Sequence, residues 1–193
     1  MKFNIIACVN YNKAIGWKKT NDLIFNIPGE LSYFKRITTQ TSNDKMNIIV
    51  MGRKTWDSLP GIKPLAGRYN CVISSNYEDL NEEFKDKPNF KAFHNVDCFV
   101  KFAKNNKNNF NETFVIGGKS IYDEFFKKNI IDNLYLTEIE TKNYLGDVMF
   151  PNKYLVGFYL KSCSHYTNVK AINKLDKIST QLDYTFRIYE KYV

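Results

Sequence analysis

The chain has 193 residues, 44% of them hydrophobic and 25% charged, which fits one globular domain spanning 1–193 and excludes a disordered tail, a collagen-like fibre or a disulfide mini-protein. Its formal charge is 28 − 20 = +8, a surplus that attracts polyanions: nucleic acid, phosphorylated cofactors or polycarboxylate substrates.

The first predicted strand is Phe3–Val9. A helix follows over Pro28–Thr39, where Pro opens the first turn and Leu31, Phe34 and Ile37 recur every third residue. Segments 47–51 and 69–73 read as strands, and near-continuous Ile and Val in several strands implies cover on both faces. A second helix is predicted over 95–104 from Val96, Phe99, Val100 and Ala103. Then come a strand at 113–116, a helix at 120–127 and a strand at 134–139. Strands alternating with helices predict an α/β fold with a mostly parallel central sheet flanked by helices. Two long alternating runs, 155–166 and 182–192, joined by a polar stretch, predict a closing antiparallel strand pair.

The cations are mostly Lys dispersed among Asn, as in 101–109, with no Arg-rich stripe; nucleic acid is not an expected partner. Apolar runs such as Ile48-Ile49-Val50-Met51 fall far short of a membrane span. Asn4 and Asn10 bracket an N-terminal run too short and too polar for a signal peptide. Cys8, Cys71, Cys98 and Cys163 form no Cys-x-x-Cys pair, and only His94 and His165 accompany them, so no metal site is predicted. Cys8 and Cys71 lie in apolar runs and read as small core residues. A reducing, cytoplasmic setting without membrane contact is expected.

Three motifs carry possible chemistry. In Phe114-Val115-Ile116-Gly117-Gly118-Lys119-Ser120, a strand runs through paired glycines into a helix, which suits a phosphate held by backbone amides. A tight strand-to-helix turn fits equally well, and neither a Walker A nor a Gly-x-Gly-x-x-Gly pattern is complete. In Val50-Met51-Gly52-Arg53-Lys54-Thr55-Trp56, two cations and a hydroxyl open a helix after another strand. That is either a phosphate cluster or a solvated helix start. Two such turns after neighbouring parallel strands share the sheet edge where α/β proteins bind ligands. The third motif is Glu30, in the first turn of a helix beside Ile27, Leu31 and Phe34. An acid there either compensates the helix dipole or, desolvated in a cleft, acquires a raised pKa suited to a basic heterocycle.

In order and spacing, these pieces resemble dihydrofolate reductase over nearly the whole chain. The resemblance rests on Ile6-Ala7-Cys8, Ala14-Ile15-Gly16, residues 26–35, Gly52-Arg53-Lys54-Thr55-Trp56 and Pro64-Leu65-Ala66-Gly67-Arg68. It continues through Ile73-Ser74-Ser75, Gly117-Gly118 with Ile121-Tyr122, residues 134–137, Gly146-Asp147 and Phe150-Pro151. It implies that Glu30 grips the pterin and supports its protonation, hydrogen-bonded by Thr137. Ile6, Leu31, Phe34, Leu59, Leu65 and Ile116 would wall the pterin and benzoyl groups, with Lys35 alongside. Arg68 would pair with the glutamate tail.

For NADPH, the resemblance implies Cys8, Ile15 and Gly16 at the nicotinamide. Gly52, Arg53, Lys54, Thr55, Ser74, Ser75, Lys119, Ser120 and Tyr122 would surround the phosphates. The Gly117–Gly118 peptide would be cis, with no room for a side chain at either glycine. The implied activity is NADPH-dependent reduction of dihydrofolate to tetrahydrofolate by a monomer, feeding one-carbon metabolism and thymidylate synthesis and making the chain an antifolate target. The chain departs from the family at Ile24-Phe25, where a mobile loop carries Pro-Trp, and at 17–22, which is somewhat longer. A same-fold reductase of a riboflavin-pathway pyrimidine does not account for Glu30 together with Arg68. A non-catalytic nucleotide- or RNA-binding protein lacks the aromatic-basic stacking motif it would need.

Overall fold

A computed structural model describes residues 1–20, 22–41, 44–142 and 145–192. Its frame is a sheet in which, among the described residues, nine strands are joined. Strand β1 (Phe3–Val9) is followed by two short strands, β2 (Ala14–Gly16) and β3 (Phe25–Asn26), and then by helix α1 (Pro28–Thr39). Strand β4 (Met46–Gly52) leads into helix α2 (Arg53–Ser58), and β5 (Arg68–Ile73) into α3 (Tyr77–Glu83). Next come β6 (Phe90–Phe93), α4 (Val96–Asn105), β7 (Phe110–Gly117), α5 (Lys119–Lys127) and β8 (Asn133–Ile139). Strand β9 (Val148–Met149) pairs with β2, and the chain closes with β10 (Phe158–Asn173) and β11 (Ser179–Lys191).

The strand order is β3-β10-β11-β8-β1-β7-β4-β5-β6. The pairs from β8 to β6 are parallel, whereas β11 joins β8 antiparallel and β10 joins β11 antiparallel. The fold is thus the predicted one. Side chains alternate across a strand, and in β4 both sets are buried. Ile48 and Val50 enter the core packed by α4 and α5, while Ile49 and Met51 enter the core that holds Trp56 and Leu80 from α2 and α3. That double cover is why the central strands read as continuous apolar runs. Among the described residues, no helix is long and apolar enough to cross a membrane.

The C-terminal pair begins and ends elsewhere than its apolar alternation predicts. Residues 155–157 lie in a 3-10 turn, Asn152–Gly157, which Tyr154 anchors by stacking on Phe126 at 4.8 Å. The strand starts at Phe158 and runs on through polar Thr167 and Lys170 to Asn173. Backbone pairing holds a ladder together whether or not its side chains are apolar, and most of β10 faces solvent. The sequence pattern also predicts neither helix α3 nor strand β6. Both lie towards the sheet edge, and α3 buries only Leu80 among its seven residues.

Because β5, β4, β7, β1 and β8 run parallel, their carboxyl ends share one edge of the sheet. Gly52 stands opposite Ile73, Met51 opposite Gly117 and Cys8 opposite Thr137. The two glycine turns, far apart in sequence, therefore meet on one rim, where open α/β sheets bind ligands.

Candidate active site

Glu30 is built in by the first turn of α1. Pro28 opens the helix, and the backbone amides of Glu30 and Leu31 both donate to the Ile27 carbonyl. Leu31 falls on the outside, 43% exposed, while Glu30 points inward and is 7% exposed. Leu31 therefore leaves much of its side chain open to solvent or to a ligand. The Glu30 carboxyl has no hydrogen bond or ion pair among the described residues, and burial raises its pKa from 4.5 to about 7. Burial, with the nearby Glu30 charge second, also pushes up the Cys8 thiol and the Tyr122 phenol.

Thr137 is 1% exposed on β8 beside Cys8. The hydrogen bond to Glu30 that the resemblance implies is not made: the Thr137 hydroxyl is buried and has no protein partner. A hydroxyl carried directly on Cβ cannot reach beyond the spot where packing sets its strand. A buried donor and a buried carboxylate are both left without protein partners here. Ile6 is buried in the same apolar cluster that Phe34, Leu59, Leu65 and Ile116 join as half-buried members. Lys35 projects from α1 into solvent.

Arg68 opens β5 and is 5% exposed. Its Nε donates to the Ala66 carbonyl at 3.2 Å and its Nη1 to Thr38 Oγ1 at 3.0 Å, with the guanidinium 5.8 Å from the Phe34 ring centre. Among the described residues no acid pairs with it, and burial lowers its pKa. A buried cation of this kind calls for an anion from elsewhere. Asn70, fully buried, shapes the loop before it. Its side chain bonds Leu65 N and O at 2.9 and 3.0 Å and the Arg68 carbonyl at 2.8 Å.

On the other half of the rim, α2 and α5 start at Gly52 and Gly118, and neither N-terminus has a side-chain cap. Their first amides stay available to an anion. The Gly117–Gly118 peptide is cis. The two glycines differ in the room they leave. Gly117 has φ +109°, and a Cβ there would lie 3.0 Å from Tyr122 Oη. Gly118 has φ −77°, and a Cβ would meet only Thr55 Oγ1 at an ordinary 3.5 Å. Within the protein, steric exclusion applies to Gly117 alone, because its left-handed backbone turns the missing Cβ onto Tyr122. Tyr122 is itself 3% exposed and donates its hydroxyl to the Ile6 carbonyl at 3.0 Å, bracing the turn from beneath.

Lys54 and Thr55 follow Gly52, and Ser74 and Ser75 follow β5 next door. Ser74 Oγ accepts from Asn76 N, and Ser75 Oγ donates to Asn76 Oδ1. Arg53 Nε is already held by both Asp57 oxygens at 2.8 and 2.9 Å, and Lys119 by Asp123 at 2.6 Å. Each acid lies one helical turn further along, where such pairs form readily. Ser120 is exposed in the first turn of α5. Cys8 and Ile15 line a narrow crevice with Ala14, Leu23, Ile24 and Phe25, and Gly16 lies at its back, its backbone against Asp22 and Gly146.

Ile24 and Phe25, 3% and 4% exposed, are not free loop residues. Phe25 sits in β3 opposite Asn173 of β10 and packs in the cluster with Tyr33 and Tyr184. The segment before it is pinned at both ends. Lys18 N donates to Asp147 Oδ1 at 2.7 Å, and Lys174 Nζ binds Asp22 Oδ1 at 2.8 Å; Asn21, between them, lies outside the described residues. Nothing local in the sequence marks the Lys174 or Thr38 contacts, since each joins positions far apart along the chain.

An α/β sheet with two uncapped glycine turns on one rim, a buried unpaired acid and a buried arginine without an acidic partner is the arrangement expected of the dihydrofolate reductase class. The chain belongs to the dihydrofolate reductase family, whose sequence model matches residues 2–191. It is 30% identical to the dihydrofolate reductase of Heliothis virescens over 99% of this chain and 98% of that protein. It is 31% identical to that of Saccharomyces cerevisiae over 70% of this chain and 63% of the yeast protein. Similarity extends to the bifunctional dihydrofolate reductase-thymidylate synthase of Acanthamoeba polyphaga mimivirus, 34% identical over 76% of this chain but only 26% of the relative.

Proposed function

We propose that this chain reduces 7,8-dihydrofolate to tetrahydrofolate with NADPH. The observation that carries this reading is the pair of unmatched buried charges. Glu30 and Arg68 are both buried, and neither has an oppositely charged partner among the described residues; a molecule with a basic heterocycle and an anionic tail answers both. The residues present also fit a dinucleotide. The uncapped starts of α2 and α5 suit the phosphates, and Gly118 presents bare backbone beside the Thr55 hydroxyl. Lys54, the terminal nitrogens of Arg53 and the two serines support an extra ribose phosphate, hence NADPH over NADH.

When bound, the dihydronicotinamide supplies the hydride. The protein binds, orients and keeps out water. Ile6, Phe34, Leu59, Leu65 and Ile116 sandwich the flat substrate, while Arg68 holds its tail and so sets its distance along the cleft. With a pKa of about 7, the Glu30 carboxyl holds or releases a proton at its Oε atoms near neutral pH, where proton transfer is most effective. Ionised, it pairs with a protonated pterin. The unpaired Thr137 hydroxyl supplies a further hydrogen bond to that ring edge. The test is oxidation of NADPH by the purified protein with and without dihydrofolate. Substrate-dependent oxidation is expected, faster with NADPH than with NADH; no oxidation above the substrate-free rate would overturn the reading.

A further inference from the structure

Thr38 is fully buried near the C-terminal end of α1. A threonine hydroxyl has one proton and two lone pairs. Its proton goes to the Phe34 carbonyl one turn back, at 2.7 Å. It therefore meets Arg68 Nη1 as an acceptor, at 3.0 Å. The Thr38 backbone is locked in turn. Its carbonyl accepts from Asn47 Nδ2 at 3.1 Å, and Asn47, fully buried on β4, accepts at Oδ1 from Glu112 N and Asn111 Nδ2. Asn47 also stands opposite Arg68 in the β4–β5 ladder. The end of α1 and the start of β5 thus form one rigid unit around the guanidinium.

A guanidinium has five N–H hydrogens and can grip a carboxylate in two ways. One fork uses Nε and the terminal nitrogen beside it; the other uses both terminal nitrogens. At Arg68 the Nε hydrogen is taken by the Ala66 carbonyl, which closes the first fork. Thr38 takes one hydrogen on Nη1. Three hydrogens remain, all on Nη1 and Nη2, and the guanidinium carbon lies 5.8 Å from the centre of the Phe34 ring.

We propose that Thr38 is a positioning residue for the substrate's terminal carboxylate. It turns Arg68 so that the carboxylate docks end-on against Nη1 and Nη2, and it makes the enzyme selective for substrates that carry such a tail. The proposal rests on the dihydrofolate reading for the identity of the anion, and on the local geometry alone for the role of Thr38.

The isosteric substitution Thr38→Val removes the acceptor, and Thr38→Ser keeps it. Each variant is assayed with dihydrofolate and with a 7,8-dihydropterin bearing only a methyl group in place of the benzoylglutamate. Thr38→Val is expected to raise KM for dihydrofolate roughly tenfold, about 1.4 kcal/mol, with kcat and the KM for the tail-less pterin unchanged. Thr38→Ser restores the wild-type KM. A general structural role would instead raise both KM values or lower kcat for both substrates, and that result overturns the proposal, as does an unchanged KM for dihydrofolate. If the wild-type protein turns over neither substrate, the reductase reading has failed, and the clamp is then judged by binding. Calorimetric titration with folic acid must then give weaker binding to Thr38→Val than to wild type and Thr38→Ser; equal binding overturns the role of Thr38 by itself.

Discussion

Replacing Glu30 with Gln removes one ionisable group from an apolar pocket and keeps its shape, so its consequences can be worked through with their signs. Burial raises the Glu30 pKa from 4.5 to about 7. The fold therefore binds this proton more tightly than the unfolded chain does. Its contribution to stability is fully present below about pH 4.5, declines as the pH rises, and is gone above about pH 7. At about 1.36 kcal/mol per pKa unit the shift amounts to about 3 kcal/mol, a large share of a typical domain's stability. Glu30→Gln has no such loss, because the amide never ionises. Urea unfolding of the ligand-free protein between about pH 4 and about pH 9 reads the difference. The stability of Glu30→Gln relative to wild type should climb by about 3 kcal/mol across that range, most of it between pH 4.5 and 7. Activity should move the other way. The variant should lose most of its turnover at neutral pH while still binding NADPH, whose proposed contacts lie on the far half of the rim. It should recover part of the rate on acidification, when solvent protonates the substrate instead. A stability difference that does not change with pH would show that Glu30 is not desolvated, and full turnover at neutral pH would give its task to another group.

Arg53→Ala should weaken NADPH by roughly tenfold or more and leave NADH nearly unaffected; equal losses in a titration of both cofactors would remove Arg53 from the extra phosphate. Gly117→Ala puts a Cβ at φ +109° and 3.0 Å from Tyr122 Oη; it should cost on the order of 1–3 kcal/mol in thermal unfolding. Gly118→Ala should leave the unfolding midpoint unchanged and act on NADPH affinity, since only Thr55 lies near its new methyl. Phe25→Trp enlarges a side chain that is 4% exposed and should destabilise by about 1–3 kcal/mol; a wild-type unfolding midpoint would show that β3 has slack for an indole. Arg68→Lys should raise KM for dihydrofolate strongly while kcat holds, because a single ammonium offers neither fork.

The central sheet was legible in the sequence because burial on both faces leaves a local mark. Several strands, β4 with Ile48-Ile49-Val50-Met51 above all, are nearly continuous in apolar residues, and α1 carries its Pro at the start and its apolar stripe every third residue. Glu30 and the glycine turns could be singled out for a like reason: an acid in a first turn and glycines between strand and helix have few physical readings. Arg68, by contrast, was singled out only by resemblance, since nothing adjacent to it in sequence marks a buried cation. What the sequence did not hold was anything set by contact across the fold. The polar length of β10 is specified by its ladder with β11, not by its own side chains. Phe25 is a core residue only because β3 pairs with the last turn of that hairpin. The unequal tolerance of Gly117 and Gly118 follows from where Tyr122 stands. The aim of Arg68 depends on a hydroxyl thirty residues away. Local patterns record burial and backbone preference; the direction of a side chain is decided by whichever neighbour the tertiary structure brings to it.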